Sequence, residues 1–312
     1  MSHLSRRKPS PEKILRLDPL DMSFMCLTGN IKFMNPVSVI AAKLKADGDI
    51  LMWGPEAKLM EIVLWKAWLE EAGDLIDAIS SAFDLEGDIT VDEVAIRDAF
   101  REYSDVGTWA YAKARNKILQ LLAKTQSKAL SEFRKQKGRS KAEFDDFLEE
   151  YLLAMDLDLE AYMAGFPEEV YLLEVEKIIR VTELPPGARN VDALALRDRI
   201  RQLRTVPRGQ FGLTSDIDAG RTWQHTGIMY AEETGGTTYQ VLAERDRITC
   251  PVCKKLDGTT YQVKRQADKI RQFVDLAGDK GAVSELYRFP RISDVDNRSP
   301  EELSNQDYIP PF

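Results

Sequence analysis

The sequence predicts a mainly α fold, with a long helical body followed by a small α+β module built round a Cys-x-x-Cys knuckle. Three observations predict it. Apolar residues recur at helical spacing over residues 55–204. Two runs rich in Thr, Tyr and Val then follow, at 237–242 and 259–263. Between those runs stand Cys250 and Cys253. The 312 residues, 44% hydrophobic and 30% charged, have the composition of a folded globular chain, long enough to bury a core without disulfides. The chain divides into an arm with a short helix (1–54), the helical body (55–204) and the C-terminal module (205–312).

In the arm, Met22, Phe24, Met25, Leu27, Ile31, Phe33 and Met34 form an apolar cluster broken by Gly29, Asn30 and Asn35. It packs on the body or on a partner, and residues 36–45 read as a short helix. Pro55 suits a helix start, because its missing N–H would be unpaired there anyway. Leu59, Ile62, Val63, Leu69, Ile76 and Ile79 trace the buried stripe of that helical run, widened by Trp65 and Trp68, and Gly87 and Asp88 close it. Thr90 begins the next helix with Glu93 completing a capping box, and Ala95, Ala99 and Phe100 face inward.

Residues 109–136 read as one long helix buried through Ala110, Ala114, Ile118, Leu121, Leu122, Leu130 and Phe133. Its other face is basic, with Lys113, Arg115, Lys117, Lys124 and Lys128, in a chain of net charge -8. Two readings stand. The face is solvated and paired with the acidic stretch Glu143, Asp145, Asp146, Glu149 and Glu150, or it touches DNA or an acidic partner. Lys113, Lys117, Lys124 and Lys128 are the contact residues of the second reading.

Further helices are expected at 142–155, 167–180 and 190–204, with Pro185, Pro186 and Gly187 as a break. Residues 207–214 read as a loop, Ser215 as the N-cap of a helix running to Glu233, and Gly235 and Gly236 as its stop. Asp216 and Asp218 then form an N-terminal acidic pair, and Glu232 and Glu233 a solvated face.

Cys26, Cys250 and Cys253 are too few for a disulfide framework and fit a reducing compartment. A C-x-x-C turn aims two thiolates at one point, which is half of a tetrahedral zinc site. His225 on the preceding helix could approach as a further ligand, though a lone His is more often a surface or core residue, and the set remains short of four. A redox role needs a helix N-terminus behind the first cysteine, whereas Lys254 to Gly258 read as a turn into a strand. Gly209 and Gly212 lack the ending of a phosphate loop, and two histidines leave little for acid–base chemistry, so an enzyme is not expected. The sequence has no apolar run of membrane-spanning length and no signal-peptide pattern at its start.

The ordered set Asp246-Arg247-Ile248-Thr249-Cys250-Pro251-Val252-Cys253, then Leu256-Asp257-Gly258, then Ile309-Pro310-Pro311-Phe312 resembles the C-terminal signature of phage head morphogenesis proteins, the phage Mu F-like minor head family. Arg221, Trp223, Gly227 and Ala231 resemble the family's helix leading into the cysteines, and Phe83-Asp84-Leu85 a phrase after its first long helix. The resemblance covers residues 205–312 best. In the family a His-, Asn- and Cys-rich segment follows the Pro-Pro-Phe element, and this sequence ends at Phe312, where that segment would begin. The resemblance implies a non-enzymatic minor capsid protein, made in the host cytoplasm and acting in prohead assembly. It implies a place at the portal vertex inside the virion, with the portal, major capsid or scaffold proteins and packaged DNA as partners, and with zinc as the metal at Cys250 and Cys253. A DNA-binding protein using the basic helix over 113–141, or a zinc-dependent enzyme or toxin relative, is the alternative.

Overall fold

A computed structural model of the protein describes residues 30–35, 38–39, 54–84, 90–137, 142–184, 193–242, 251–287 and 295–304. It is mainly helical. In chain order the elements are β1 (Asn30–Asn35), β2 (Ser38–Val39), α1 (Gly54–Glu71), α2 (Gly73–Ser81), β3 (Phe83–Asp84), β4 (Thr90–Val91), α3 (Glu93–Glu102), α4 (Val106–Lys137) and α5 (Ala142–Phe166). A π-helical turn (Pro167–Tyr171) leads to α6 (Leu172–Thr182), α7 (Ala193–Gln202) and α8 (Val206–Glu233). Then come β5 (Thr238–Leu242), α9 (Pro251–Leu256), β6 (Thr260–Gln262), α10 (Val263–Leu276), α11 (Lys280–Leu286) and α12 (Pro300–Ser304).

Helices α1, α4 and α8 pack on one another, and α5 packs on α4 and α8. Trp68 sits at the centre, fully buried, with Phe166, Tyr171 and Phe211 edge-on at 4.9, 5.5 and 6.1 Å. Such aromatic pairs add to the area they bury. Because Trp68 faces inward, the buried stripe of α1 is Ala57, Met60, Leu64, Ala67 and Trp68. The sequence-predicted stripe is rotated from this: Leu59 is exposed, and Ile62, Val63 and Leu69 are only half-buried.

Pro167 falls inside a run that is helical from Ala142 to Thr182. Lacking an N–H, it cannot bond the carbonyl four residues back, at Met163. The start of α4 packs against that carbonyl through Gly107, where an added Cβ would lie 1.8 Å from the Met163 oxygen. Only glycine fits so close an approach.

Four local expectations are corrected. Ser38–Val39 is a strand rather than part of a helix over 36–45, and it pairs antiparallel with the end of β1. Thr90 belongs to β4, paired with Asp84, and the cap of α3 is Asp92, whose carboxylate accepts from the Ala95 N–H at 3.0 Å. Helix α8 begins at Val206 with Pro207 in its first turn, so residues 207–214 are helical and Ser215 is buried mid-helix. Burial of Phe211 against Trp68 and Phe166 outweighs the poor helix propensity of Gly209 and Gly212. Lys254 to Leu256 are the end of α9 rather than a turn: Pro251 sits at the helix start, and Val252 and Leu256, one turn apart, are both buried.

The sequence boundary at 205 falls just before α8, and α8 packs along α1 and α4, so the hydrophobic core runs across it. After α8, Gly235 takes a left-handed φ of 77° and ends the helix. Strand β5 then joins an antiparallel sheet of order β2-β1-β5-β6. Strand β1 pairs from Asn30 opposite Leu242 to Met34 opposite Thr238. Of the apolar arm cluster, Ile31, Phe33 and Met34 lie on β1, and Met22 to Leu27 lie outside the described residues.

Candidate functional site

Cys250 lies outside the described residues, as does the side chain of Cys253 on α9. The turn that follows α9 is described. The Leu256-Asp257-Gly258 turn is hooked onto β5: the Gly258 N–H donates to the Val241 carbonyl at 2.8 Å, and the Val241 N–H donates to the Thr259 carbonyl at 3.0 Å. Gly258 has φ 81°, a conformation that a side chain would strain. The side-chain amide of Gln240 donates to the Gly258 carbonyl at 2.7 Å. Below the turn, Tyr239 and Tyr261 stack at 5.7 Å, both buried. The L-D-G element therefore fixes where α9 sits relative to β5 and β6. Among the described residues no cluster of three or more His, Cys, Asp or Glu could hold a metal.

The basic face of α4 turns toward the acidic side of α1. Lys113 pairs with Glu71 and, at 3.4 Å, with Glu70. Lys124 and Lys128 both pair with Glu56, at 3.0 and 2.7 Å, and that carboxylate is only 1% exposed. Burial works against the Glu56 charge, but the two ammonium groups outweigh it and hold its pKa below the usual carboxylate value. Arg115 grips Asp156 through two nitrogens, and the Tyr111 hydroxyl donates to the same carboxylate at 2.8 Å. Arg134 meets Asp145 at 3.4 Å, joining α4 to the acidic stretch that follows it. Lys117 is exposed. Of the four lysines considered as DNA or partner contacts, Lys113, Lys124 and Lys128 are thus engaged within the chain.

The most concentrated polar chemistry lies elsewhere, on α8. Asp218, Arg221 and His225 share one face at spacings of three and four; Asp218 and His225 are buried, and the Arg221 side chain is 11% exposed. This corrects one expectation: Asp218 is mid-helix and not in an N-terminal pair. His225, a lone histidine, is a core residue. The Tyr151 hydroxyl and His225 Nδ1 share a hydrogen bond at 3.0 Å, and the imidazole stacks on Tyr287 with centroids 5.6 Å apart. Arg221 meets Asp158 at 3.3 Å and Asp218 at 3.9 Å. Its guanidinium and the Lys269 ammonium each lie 4.9 Å from the Tyr287 ring centre. Helices α5, α8, α10 and the end of α11 all contribute.

Burial, helped by the positive charges of Arg221 and Lys269, pushes the His225 pKa well below its ordinary value and keeps the ring neutral. Burial drives the Asp218 carboxyl up to about 7, although Arg221 opposes the shift. Burial opposes the Arg221 charge, and Asp158 and Asp218 more than restore it. The groups balance one another's charge, and they tie α10 and the end of α11 to the helical body. The sequence signal for this cluster is the polar periodicity of Asp218, Arg221 and His225 on a helix otherwise buried. Tyr151, Asp158, Lys269 and Tyr287 come from distant positions and carry no such signal.

No family model, no curated protein and no solved structure matches the chain.

Proposed function

We propose that the protein is a phage minor head protein acting without catalysis in prohead assembly at the portal vertex. The observation that carries this reading is the ordered set of D-x-x-T-C-P-x-C, L-D-G and I-P-P-F elements over residues 246–312. The arrangement of the L-D-G turn supports it. That turn is a structural hook between β5 and α9, which suits a motif kept for folding an assembly module rather than for turnover. In this reading residues 205–312 form the α+β assembly module, Cys250 and Cys253 clip its knuckle, and zinc is the metal they share with ligands supplied from outside the pair. The protein acts in the host cytoplasm and then inside the capsid. Its partners are the portal, major capsid or scaffold proteins, and packaged DNA. The ion pairs of Lys113, Lys124 and Lys128 take support away from DNA binding through the basic helix.

Co-expression with the portal protein of the same phage, followed by washes of rising salt, tests the reading. A stoichiometric complex that survives moderate salt is expected, with about one zinc per chain. A protein that elutes alone at low salt would overturn the portal assignment.

A further inference from the structure

Helix α5 carries an outer face that the rest of the described molecule leaves open. Leu153 and Leu157, one turn apart, are 61% and 47% exposed, and Leu276 at the end of α10 is 36% exposed. They belong to one area, because a Cβ added at Gly278, two residues beyond Leu276, would lie 3.6 Å from the Leu157 Cβ. Glu149 and Glu150 stand one turn before Leu153, and Asp275 precedes Leu276; all three are exposed, and no basic residue pairs with them among the described residues. The face is thus an apolar strip with an acidic rim, and it fits a basic amphipathic segment.

The chain contains such a segment. Residues 5–17 hold Arg6, Arg7, Lys8, Lys13 and Arg16 against a single acid, Glu12, together with Ile14, Leu15 and Leu17. We infer that this N-terminal segment docks on the Leu153–Leu157 face of α5, laying its apolar residues on the leucines and its cations on the acidic rim. The tether permits it. Asn30 is held opposite Leu242 in β1, and the Val263 N–H bonds the Thr237 carbonyl where β5 meets α10. Following β5 back and α10 forward, the path from Asn30 to Leu276 is about 40 Å. The thirteen steps from Leu17 to Asn30 extend to about 45 Å, and the straight line is shorter than the folded path. A segment tethered in this way meets the face at an effective concentration of order millimolar, ahead of any free partner of equal chemistry.

Limited trypsin digestion of the full chain, read by mass spectrometry, tests the docking, because the segment carries cleavable bonds after Arg7, Lys13 and Arg16. At low salt those bonds should be cut about tenfold more slowly in the wild type than in Glu149→Lys/Glu150→Lys, which keeps the leucines. The exposed double change Leu153→Lys/Leu157→Lys and, from the other side, Ile14→Asp should release the same bonds, as should salt of about 0.5 M, which screens the charges. Equal, fast cleavage in the wild type and all variants overturns the inference. Protection that appears only as protein concentration rises, together with a mass of two chains, overturns it in favour of exchange between copies.

Discussion

The basic face of α4 and the polar face of α8 make the same kinds of ion pair in two different places. On α4 the cations sit at the surface, and their carboxylates range from exposed (Glu70, Asp145) to buried (Glu56, Asp156). On α8 the Arg221 guanidinium lies against the Phe273 and Tyr287 rings, and the neutral His225 ring packs among Tyr151, Phe273 and Tyr287. Exposed pairs are worth about 0–1 kcal/mol, whereas removing one partner of a buried pair costs about 3–5 kcal/mol. The pairs of the conspicuous basic face that are exposed on both sides, Lys113–Glu70 and Arg134–Asp145, are therefore weak in the fold, and most partners of the cluster that fastens α10 and α11 carry no signal in the sequence.

Arg221→Met gives the largest expected effect. It keeps volume but leaves Asp158 and Asp218 without their cation. Urea unfolding should show a loss of about 3–5 kcal/mol. A loss of under about 1 kcal/mol would place Arg221 in the same class as the α4 cations and remove the distinction between the two faces.

The pH dependence sharpens the comparison, because the two buried titrating groups pull in opposite directions. His225 is held neutral in the fold, so the unfolded chain binds its proton first. The stability it contributes is present above the unfolded value and lost as pH falls below about 6.5. Asp218 titrates at about 7 in the fold and near 3.8 when unfolded, so the folded chain holds the proton in between. Its contribution is present below 3.8 and lost as pH rises through 7. Asp218→Asn should therefore flatten the stability profile between pH 5 and 7, removing a decline of about 2 kcal/mol. His225→Gln should flatten it below pH 6.5 instead. Thermal melts of both variants across this range check the signs, and parallel profiles for wild type and variants would refute them.

Legibility differed between these regions for physical reasons. Helix α4 was readable because Ala110, Ala114, Ile118, Leu121 and Leu122 all face one core, and periodicity reports burial directly. The start of α8 was not, because Gly209 and Gly212 signal a loop locally, while Phe211 is claimed by aromatic partners more than forty positions away in sequence. The stripe of α1 was misjudged because Glu56 and Glu61 lie on its buried side, where Lys124, Lys128 and Arg208 neutralise them. A hydrophobic pattern cannot anticipate buried carboxylates whose cations come from other helices. Of the candidate site, the three- and four-residue spacing of Asp218, Arg221 and His225 stands in the sequence, but placing the helix start at Ser215 hid their shared buried face, and their partners on other helices carry no signal. Cys250 and the Cys253 side chain lie outside the described residues.

Glu56 is where the two faces converge, since it is a buried carboxylate served by surface cations. Lys124→Ala or Lys128→Ala alone should cost at most about 1 kcal/mol, because the other ammonium remains. The double variant leaves Glu56 buried with neither, and the loss should exceed the sum of the singles by about 1–3 kcal/mol. The pKa of Glu56 then rises, since burial is the cause left acting on it. The smallest effect is expected at Lys113, whose two carboxylate partners are reached from an exposed position. Lys113→Ala should change stability by about 0.2–1 kcal/mol, diminishing as salt is raised. A double-mutant cycle comparing Lys113 with the Lys124 and Lys128 pair decides whether burial of the carboxylate sets the worth of these pairs. Equal coupling at both places would mean that it does not, and that the contrast between α4 and α8 rests on packing alone.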